Sequence, residues 1–505
     1  MNPPHLVILI PLIFFAGALL IPLLERWRHG CAYGVAVASA AVGALVTVAG
    51  LVEVSSGGTL RYQVSGWAPP IGIELVLDPL SAFLSVMLAS VALLVLVHSG
   101  SVVRRELPGK AMPLYSTALL LVGALLGITI TGDLFNLYVF LEISSLASYA
   151  LLALGDRKAP VSAFRYLILG TVGASFYLLG LGFVFMTTGS LNMADLKLIL
   201  SNLESSPPLL VGLVLITTGV GLKMALFPMH GWLPDAYTYA SSTATALIAP
   251  IGTKIAAYVL IRIFFFVLDP GFASGEIPLT TAIGYLGAAG ILWGSILAIA
   301  QTDLKRMLAY SSVGQIGYIA LGIGLASPMG FIGAILHMVN HAVMKGCLFL
   351  VSANFLSRLG HADIRRFNDS TRVHMPWTAA GFTMAALSMI GLPPFAGFFS
   401  KWYLILGSVE ESNWVFVAVI LISSLLSAVY FFRLIERIYL RSPGRDSEYP
   451  DEAGGAAAPD GGREEVSASM LAPTLILASA LLVLGLLNVW IVNRLIQPMI
   501  PAGLL

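Results

Sequence analysis

Seven side chains able to carry a proton lie where ionised groups are costly. Glu142, Lys223, Lys254, His337, His341, Lys345 and Lys401 all sit well inside long apolar stretches. At a helix centre in hydrocarbon, each such charge costs at least ~2.5–3.5 kcal/mol on insertion scales. A chain keeps several of them only if they face one another, water, or both. His337, His341 and Lys345 recur at i, i+4 and i+8, which puts all three on one helix face within about 80°. Asn340 lies next to that face. A titratable row of this kind is what a proton relay needs: imidazole exchanges protons near neutral pH, and a desolvated lysine releases its proton more readily than one in water. The competing role, polar residues holding helices together, is common for a single His or Asn. Three in register favour the relay.

Two of the apolar stretches are interrupted. One reads Gly221-Leu222-Lys223-Met224-Ala225-Leu226-Phe227-Pro228, and the other Gly391-Leu392-Pro393-Pro394-Phe395-Ala396-Gly397-Phe398-Phe399-Ser400-Lys401. Proline removes a backbone donor and breaks the helical ladder. Exposed carbonyls at membrane depth persist where they line a protein-enclosed or watery cavity. A simple kink would explain the prolines but not the lysine within about two turns of each break. Discontinuous helices at corresponding positions of two halves point to the transport site.

Composition sets the solvent in which these groups must work. Of the 505 residues, 58% are hydrophobic and only 10% charged, against roughly 25% charged in an ordinary soluble domain. A net charge of +1 excludes an electrostatic nucleic-acid binder. Two cysteines, Cys31 and Cys347, far apart in apolar surroundings, leave no disulfide framework, iron–sulfur site or cysteine zinc site within this chain. No cofactor and no metal ligand set is expected.

The sequence therefore predicts an all-α polytopic membrane protein with about fourteen transmembrane helices. The apolar stretches run over Pro4–Leu24, Cys31–Leu51, Pro79–Val97, Met112–Ile130, Leu134–Leu154, Ser162–Met186 and Pro208–Phe227. They continue over Ser242–Val267, Thr280–Ala300, Met307–Ala326, Phe331–Phe355, Trp377–Leu406, Trp414–Leu440 and Met470–Ile491. Each approaches or exceeds the ~20 residues needed to cross a bilayer. The first lacks a charged leader region and a small-residue cleavage site, so it is expected to stay as a helix. Arg262 is near enough to the end of its span to snorkel to the interface.

Loop charges fix an orientation. Counted on alternate loops, 19 Lys and Arg residues fall on one side, and only Arg61, Lys197 and Arg494 on the other. Basic loops stay cytoplasmic, which places both termini on the extracytoplasmic side of the cell membrane. Residues 441–469, rich in Gly, Ala, Pro and acidic residues, are expected to form a flexible cytoplasmic linker.

The expected organisation is an N-terminal group of three helices (residues 1–111), a first five-helix unit (112–268), a second five-helix unit (280–440), the linker (441–469) and a C-terminal helix (470–505). Five is odd, so the two units enter the membrane from opposite sides. They form two inverted five-helix repeats, with a broken helix as the fourth member of each.

Four motifs in order give the chain a resemblance. Gly132-Asp133-Leu134-Phe135-Asn136 with Phe140-Leu141-Glu142, Lys223 with Phe227-Pro228-Met229-His230-Gly231-Trp232-Leu233-Pro234-Asp235-Ala236, the His337–Lys345 helix, and Gly391-Leu392-Pro393-Pro394 with Ser400-Lys401 are similar to signatures of the antiporter-like membrane subunit family. That family includes Mrp-type cation/proton antiporter subunits and the proton-pumping subunits of complex I and of membrane-bound hydrogenases. The resemblance spans roughly Asp78 to Leu440, and its wording is most like the D-type subunit of the Mrp antiporters. It implies that Glu142 and Lys223 form the charge pair of a first half-channel and that Lys254 is the central relay. It further implies that His337, His341 and Lys345 serve the second half, and that Lys401 is the terminal lysine of the exit.

A hard cation prefers several oxygen ligands with compensating negative charge. Only Glu142 supplies a carboxylate deep in a span, against four lysines; Asp78, Asp133, Asp235 and Asp303 fall near interfaces. The expectation is a proton path here, with a cation such as Na+ crossing elsewhere in a multisubunit antiporter. Partners would be other membrane subunits, protons, Na+ and the lipid bilayer, with no nucleic acid. The alternative is a proton-pumping membrane subunit of a redox complex, whose electron carriers lie in other chains. A membrane scaffold, or a transporter of an organic solute, makes poor use of so many buried titratable groups.

Overall fold

A computed structural model describes residues 3–155, 158–203, 206–268, 278–441 and 465–505. The expected linker lies almost wholly in 442–464, outside the described residues.

Among the described residues, eighteen α-helices of six residues or more account for the architecture. They are α1 (Pro3–Glu25), α2 (Ala32–Gly57), α3 (Pro79–Glu106), α4 (Ala111–Ile130), α5 (Leu134–Ala153), α6 (Ala159–Thr188), α7 (Met193–Leu200), α8 (Pro207–Met224) and α9 (Leu233–Tyr239). Then follow α10 (Ser242–Arg262), α11 (Leu279–Ile299), α12 (Leu304–Leu325), α13 (Pro328–Leu359), α14 (Asp369–His374), α15 (Pro376–Ile390), α16 (Ala396–Glu410), α17 (Trp414–Leu440) and α18 (Ala468–Leu486). Among the described residues, 13 helices are long and apolar enough to cross a membrane. The remaining one of the fourteen apolar stretches, Trp377–Leu406, is broken in two. Its halves, α15 and α16, are 15 residues each and meet at Gly391–Phe395, so neither crosses alone.

Local chemistry explains where the helices start and stop. Asp78 accepts from the Ser81 amide while the Ser81 hydroxyl accepts from the Asp78 amide, a reciprocal cap that starts α3. Proline occupies the first turn of α3, α6, α8, α13 and α15, where its missing donor costs nothing. Gly189 and Gly360 end α6 and α13 in the left-handed conformation.

Two helices are entered by the same device at opposite ends of the bundle. Asp133 caps α5 and bridges Asn192, with Leu134 N to Leu191 O at 2.9 Å and Met193 N to Gly132 O at 2.9 Å. Asp303 caps α12 and bridges Asp363, with Leu304 N to Ala362 O at 2.8 Å and Ile364 N to Thr302 O at 2.7 Å. In each case the aspartate opens one helix and pairs with the chain leaving the next.

The centre of the molecule is α13, which packs against α3, α10, α12, α15, α16 and α18. Its most apolar window is buried throughout, as expected of a helix that is hydrophobic all round. The α11 and α12 backbones touch through glycines. A methyl on Gly294 would fall 2.5 Å from the Gly314 nitrogen, so the close crossing depends on the missing side chain. The outer helix α6 turns Phe164, Ile168, Leu179 and Phe185 outward.

Two features differ from expectation. Strands β1 (Leu60–Gln63) and β2 (Glu74–Leu77) form an antiparallel hairpin between α2 and α3; four-residue strands are too short to announce themselves by alternation. Arg262 does not snorkel. It is buried, with its guanidinium forked onto Asp78 at 2.5 and 2.9 Å and bonded to the Tyr258 hydroxyl. An in-protein carboxylate removes the need to reach the interface.

Candidate functional site

The first cluster forms where α8 breaks. Lys223 lies in the last turn of α8, and Ala225 ends that helix at φ 61°. Trp232 then folds back, its indole N–H donating to the Leu222 carbonyl at 3.0 Å, which satisfies one of the carbonyls freed by the break. Tyr166 stacks on the same indole at 3.8 Å between ring centres. On α5, Glu142, Ser145 and Tyr149 share a face at i, i+3 and i+7. All three meet the lysine. Its Nζ lies 3.4 Å from Glu142 Oε1, donates to Ser145 Oγ, and lies 3.4 Å from the Tyr149 hydroxyl.

The pair is asymmetric in its surroundings. The Lys223 side chain is 6% exposed and that of Glu142 28%, so the carboxylate edges onto the outer face of the bundle. Inward, a cavity of about 30 Å³ runs past Ser144, Ser145, Ser148, Lys223, Tyr237 and Thr253. That is room for water beside polar partners, and it leads from Lys223 towards α10.

Lys254 occupies the middle of α10, completely buried. Its Nζ donates to the Ala249 carbonyl at 2.5 Å and approaches Thr253 Oγ1 at 3.5 Å. The helix that carries Lys254 packs directly against α13, which carries His337, His341 and Lys345, and all four side chains are buried. The ionisable groups of α10 and α13 thus lie on two helices in direct contact.

The row on α13 is where spacing puts it, and all its members are buried. Its members are not joined directly to one another. His337 Nδ1 shares a hydrogen with Ser400 Oγ at 2.9 Å, while its Nε2 and both nitrogens of His341 have no partner among the described residues. The two imidazole centres stand 5.9 Å apart. Asn340 donates to the Ala396 carbonyl at 2.7 Å, at the start of α16. Lys345 turns away from the histidines, donating to the Leu308 carbonyl at 2.6 Å and to Ser311 Oγ on α12.

Lys401 closes the second break. From α16 its Nζ reaches back to the Met389 and Ile390 carbonyls at 3.1 and 3.0 Å, and to Ser424 Oγ of α17 at 3.1 Å. These carbonyls lie at the open end of α15, where the helix dipole favours a cation. The ammonium also sits over the Tyr318 ring at 5.0 Å from its centre.

All six cationic or imidazole groups point into protein: none is more than 7% exposed. Sequence spacing does not identify Ser145, Tyr149, Ser311, Tyr318 and Ser424 as their partners. The available signal is a hydroxyl inside an apolar span, which is too common in membrane helices to single out a residue. Among the described residues, no three His, Cys, Asp or Glu side chains come together to hold a metal.

Comparison with known proteins adds four findings. Residues 131–427 match the family described as NADH:quinone oxidoreductase/Mrp antiporter, transmembrane. Over 99% of its length the chain is 48% identical to the NADH-quinone oxidoreductase subunit N of Desulforudis audaxviator, covering 98% of that protein. Over 84% of each chain it is 31% identical to the D-type subunit of the Na(+)/H(+) antiporter of Alkalihalophilus pseudofirmus. Among solved structures, a chain of the membrane-bound sulfane sulfur reductase, an archaeal respiratory membrane complex, superposes with a TM-score of 0.88 at 29% identity, covering 99% of this chain and 97% of that one.

Proposed function

The chain belongs to the NADH:quinone oxidoreductase/Mrp antiporter transmembrane family, and from that premise we propose that it is the proton-translocating membrane subunit of a respiratory redox complex. The observation that carries this choice is the near full-length identity to a quinone oxidoreductase subunit N, well above that to the D-type antiporter subunit. The redox alternative therefore takes precedence over the multisubunit Na+/proton antiporter that the motif wording favours. Partners are the other membrane subunits of such a complex, with the electron carriers in chains other than this one.

The mechanism follows from moving charge near a buried lysine. While Glu142 stays beside Lys223, the carboxylate stabilises the ammonium and its proton is held. When the two separate, the desolvated ammonium loses that stabilisation, and the hydroxyl-lined cavity offers the proton a way towards Lys254. Arrival of charge at Lys254 raises the energy of the neighbouring cations, which pushes a proton on through the α13 groups to Lys401. Lys401 is held by main-chain carbonyls and a serine, not by a carboxylate. Among the described residues, no carboxylate therefore pairs with it to oppose its release. Opposed five-helix units (112–268 and 280–440) are part of this proposal; the matching aspartate bridges at Asp133 and Asp303 support them. Both termini are assigned to the extracytoplasmic side on loop charge.

The antiporter is the second reading, favoured by the 31% identity to the D-type subunit. Purification in mild detergent, identification of the co-purifying chains, and reconstitution in vesicles separate the two. Co-purifying dehydrogenase or hydrogenase-type subunits and electron-driven lumen acidification are expected, with acidification lost in Glu142→Gln and Lys223→Ala. Small antiporter subunits, with flux driven by a Na+ gradient alone, would overturn the redox assignment. Intact flux in both variants would overturn the relay itself.

A further inference from the structure

A cavity of about 190 Å³ lies against the β1–β2 hairpin, lined by none of the seven relay side chains. Its walls come from the ends of spans: Asp78 at the cap of α3, Thr131 and Gly132 between α4 and α5, and Arg262 in the last turn of α10. It is therefore level with the membrane–water boundary, where lipid headgroups lie. Arg61 from the hairpin and Lys197 from α7 complete its charged wall. The loops at this end carry only three Lys or Arg residues, Arg61, Lys197 and Arg494, and two of the three meet here. The charges do not balance. Glu74 Oε1 accepts from Arg61 at 2.9 Å and from Asn192 Nδ2 at 3.2 Å, and Asp78 takes the fork of Arg262. Each carboxylate is thus matched by a guanidinium. Lys197 is exposed and, among the described residues, has no hydrogen bond or ion pair. Three cations against two carboxylates leave one positive charge in excess, which disfavours a cation and favours an anion.

We propose that this cavity binds the phosphodiester headgroup of an anionic membrane lipid of the phosphatidylglycerol type, through Lys197 and Arg61. A phosphodiester carries a single negative charge, the charge the cavity lacks. Lysine holds phosphate as a point charge and arginine holds it through a planar fork. The Arg61 side chain is 54% exposed and gives only one of its N–H groups to Glu74, so the others are open to a ligand. Arg262 stays on Asp78 and contributes field, not contact. The rest of the wall is apolar, with Met193, Phe266 and Val267 lining it. That wall suits the glycerol carbons and first methylenes of a lipid and offers a free phosphate ion nothing. Leu198, next to Lys197, is 69% exposed, an apolar flank where acyl chains begin. A solvated crevice would explain the exposure of Lys197 alone, but not its convergence with Arg61 on an apolar wall. Because α7 packs against the 263–267 segment that follows α10, a bound lipid ties the hairpin, α7 and the end of α10 together beside the Asp78–Arg262 pair.

Photolabelling tests the site without measuring proton flux, so it stands or falls apart from the proposed function. The intact complex, stripped of lipid in detergent, is incubated with a photoactivatable phosphatidylglycerol and irradiated, and the labelled peptides of this chain are mapped. Label is expected within residues 193–198 or 262–267. Excess phosphatidylglycerol should compete, and phosphatidylcholine, whose headgroup carries no net charge, should not. Lys197→Ala should lower this labelling about fivefold, the effect of losing one lysine at a charged membrane surface. Ala194→Leu, which fills part of the cavity lining without changing its charge, should lower it as well. Neither variant touches the Asp78–Arg262 pair, and melting temperature confirms that each is folded. Label found only elsewhere on the chain, or unchanged in both variants, would overturn the site. Competition by inorganic phosphate as strong as by phosphatidylglycerol would overturn the lipid in favour of a free anion. A carbodiimide cross-link joining Lys197 to a carboxylate of a neighbouring subunit would overturn it in favour of a protein partner.

Discussion

Arg262 forks onto Asp78 across 184 positions of sequence, joining the last turn of α10 to the cap of α3. Burial alone would raise the Asp78 carboxyl, but the guanidinium and the Ser81 amide hold it below its ordinary value. Removing one partner strands the other as a buried charge. Asp78→Asn is therefore expected to cost about 3–5 kcal/mol, whereas replacing both partners with apolar residues costs less. The sign of the pH effect follows from the lowered folded-state value. The stabilisation is complete above the ordinary carboxylate range and is lost as pH falls through that lower value. Melting temperature in detergent should show the gap between wild type and Asp78→Asn held at neutral pH and narrowing below about pH 4.

Lys223 bonds Glu142, Ser145 and Tyr149 at once, so these side chains act as a unit. Glu142→Gln and Lys223→Met should each lower flux by about tenfold or more, and the double variant should be no worse than Lys223→Met. Ser145→Ala removes one of three contacts and should reduce flux only severalfold. A double variant with the product of the two single losses would mean that the groups act independently.

Sidedness can be read by labelling. With Cys31 replaced by Ala and Cys347 buried, single cysteines at Trp67, in the hairpin, and at Arg366, in the loop after α13, report opposite ends of the bundle. A membrane-impermeant maleimide added to intact cells should label Trp67→Cys at once and Arg366→Cys only after permeabilisation. The reverse pattern would invert the orientation that the basic loops assign.

What the sequence revealed about this molecule was depth, and what it hid was partnership. Fourteen apolar stretches and two proline breaks were legible because crossing a bilayer demands a minimum run and proline cannot continue a ladder. The buried Lys254, Lys345 and Lys401 stood out because charge is rare in such runs. The Asp78 partner of Arg262 was invisible, since position within a span says nothing about a carboxylate on another helix. Ser424 of α17 carried no signal for a related reason: a single hydroxyl in an apolar helix costs little and occurs often. Its meaning lies in the bond it accepts from Lys401, which only packing supplies. The β1–β2 hairpin and the short helix α7 fell below the length at which periodicity speaks.

Gly391 tests whether the second break positions its lysine. It ends α15 at φ 93°, a conformation that disfavours a Cβ, and a methyl there would lie 3.1 Å from Cδ and 3.4 Å from Nζ of Lys401. Alanine would therefore add a backbone cost of roughly 1–2 kcal/mol and press on the lysine stem that carries Nζ to the Met389 and Ile390 carbonyls. Those carbonyls end a helix with no further turn to bond them, so displacing the ammonium leaves them unpaired at membrane depth. Gly391→Ala should assemble into the complex with a lower melting temperature and lose flux out of proportion to its loss of stability. Gly360→Ala provides the control, because Gly360 ends α13 at φ 73° with nothing within 4 Å of the added methyl. The same backbone penalty arises there without touching a lysine. It should lower the melting temperature by a similar amount and leave flux near wild type. Equal flux losses in the two variants would show that the break is structural and that Lys401 is not held by its geometry.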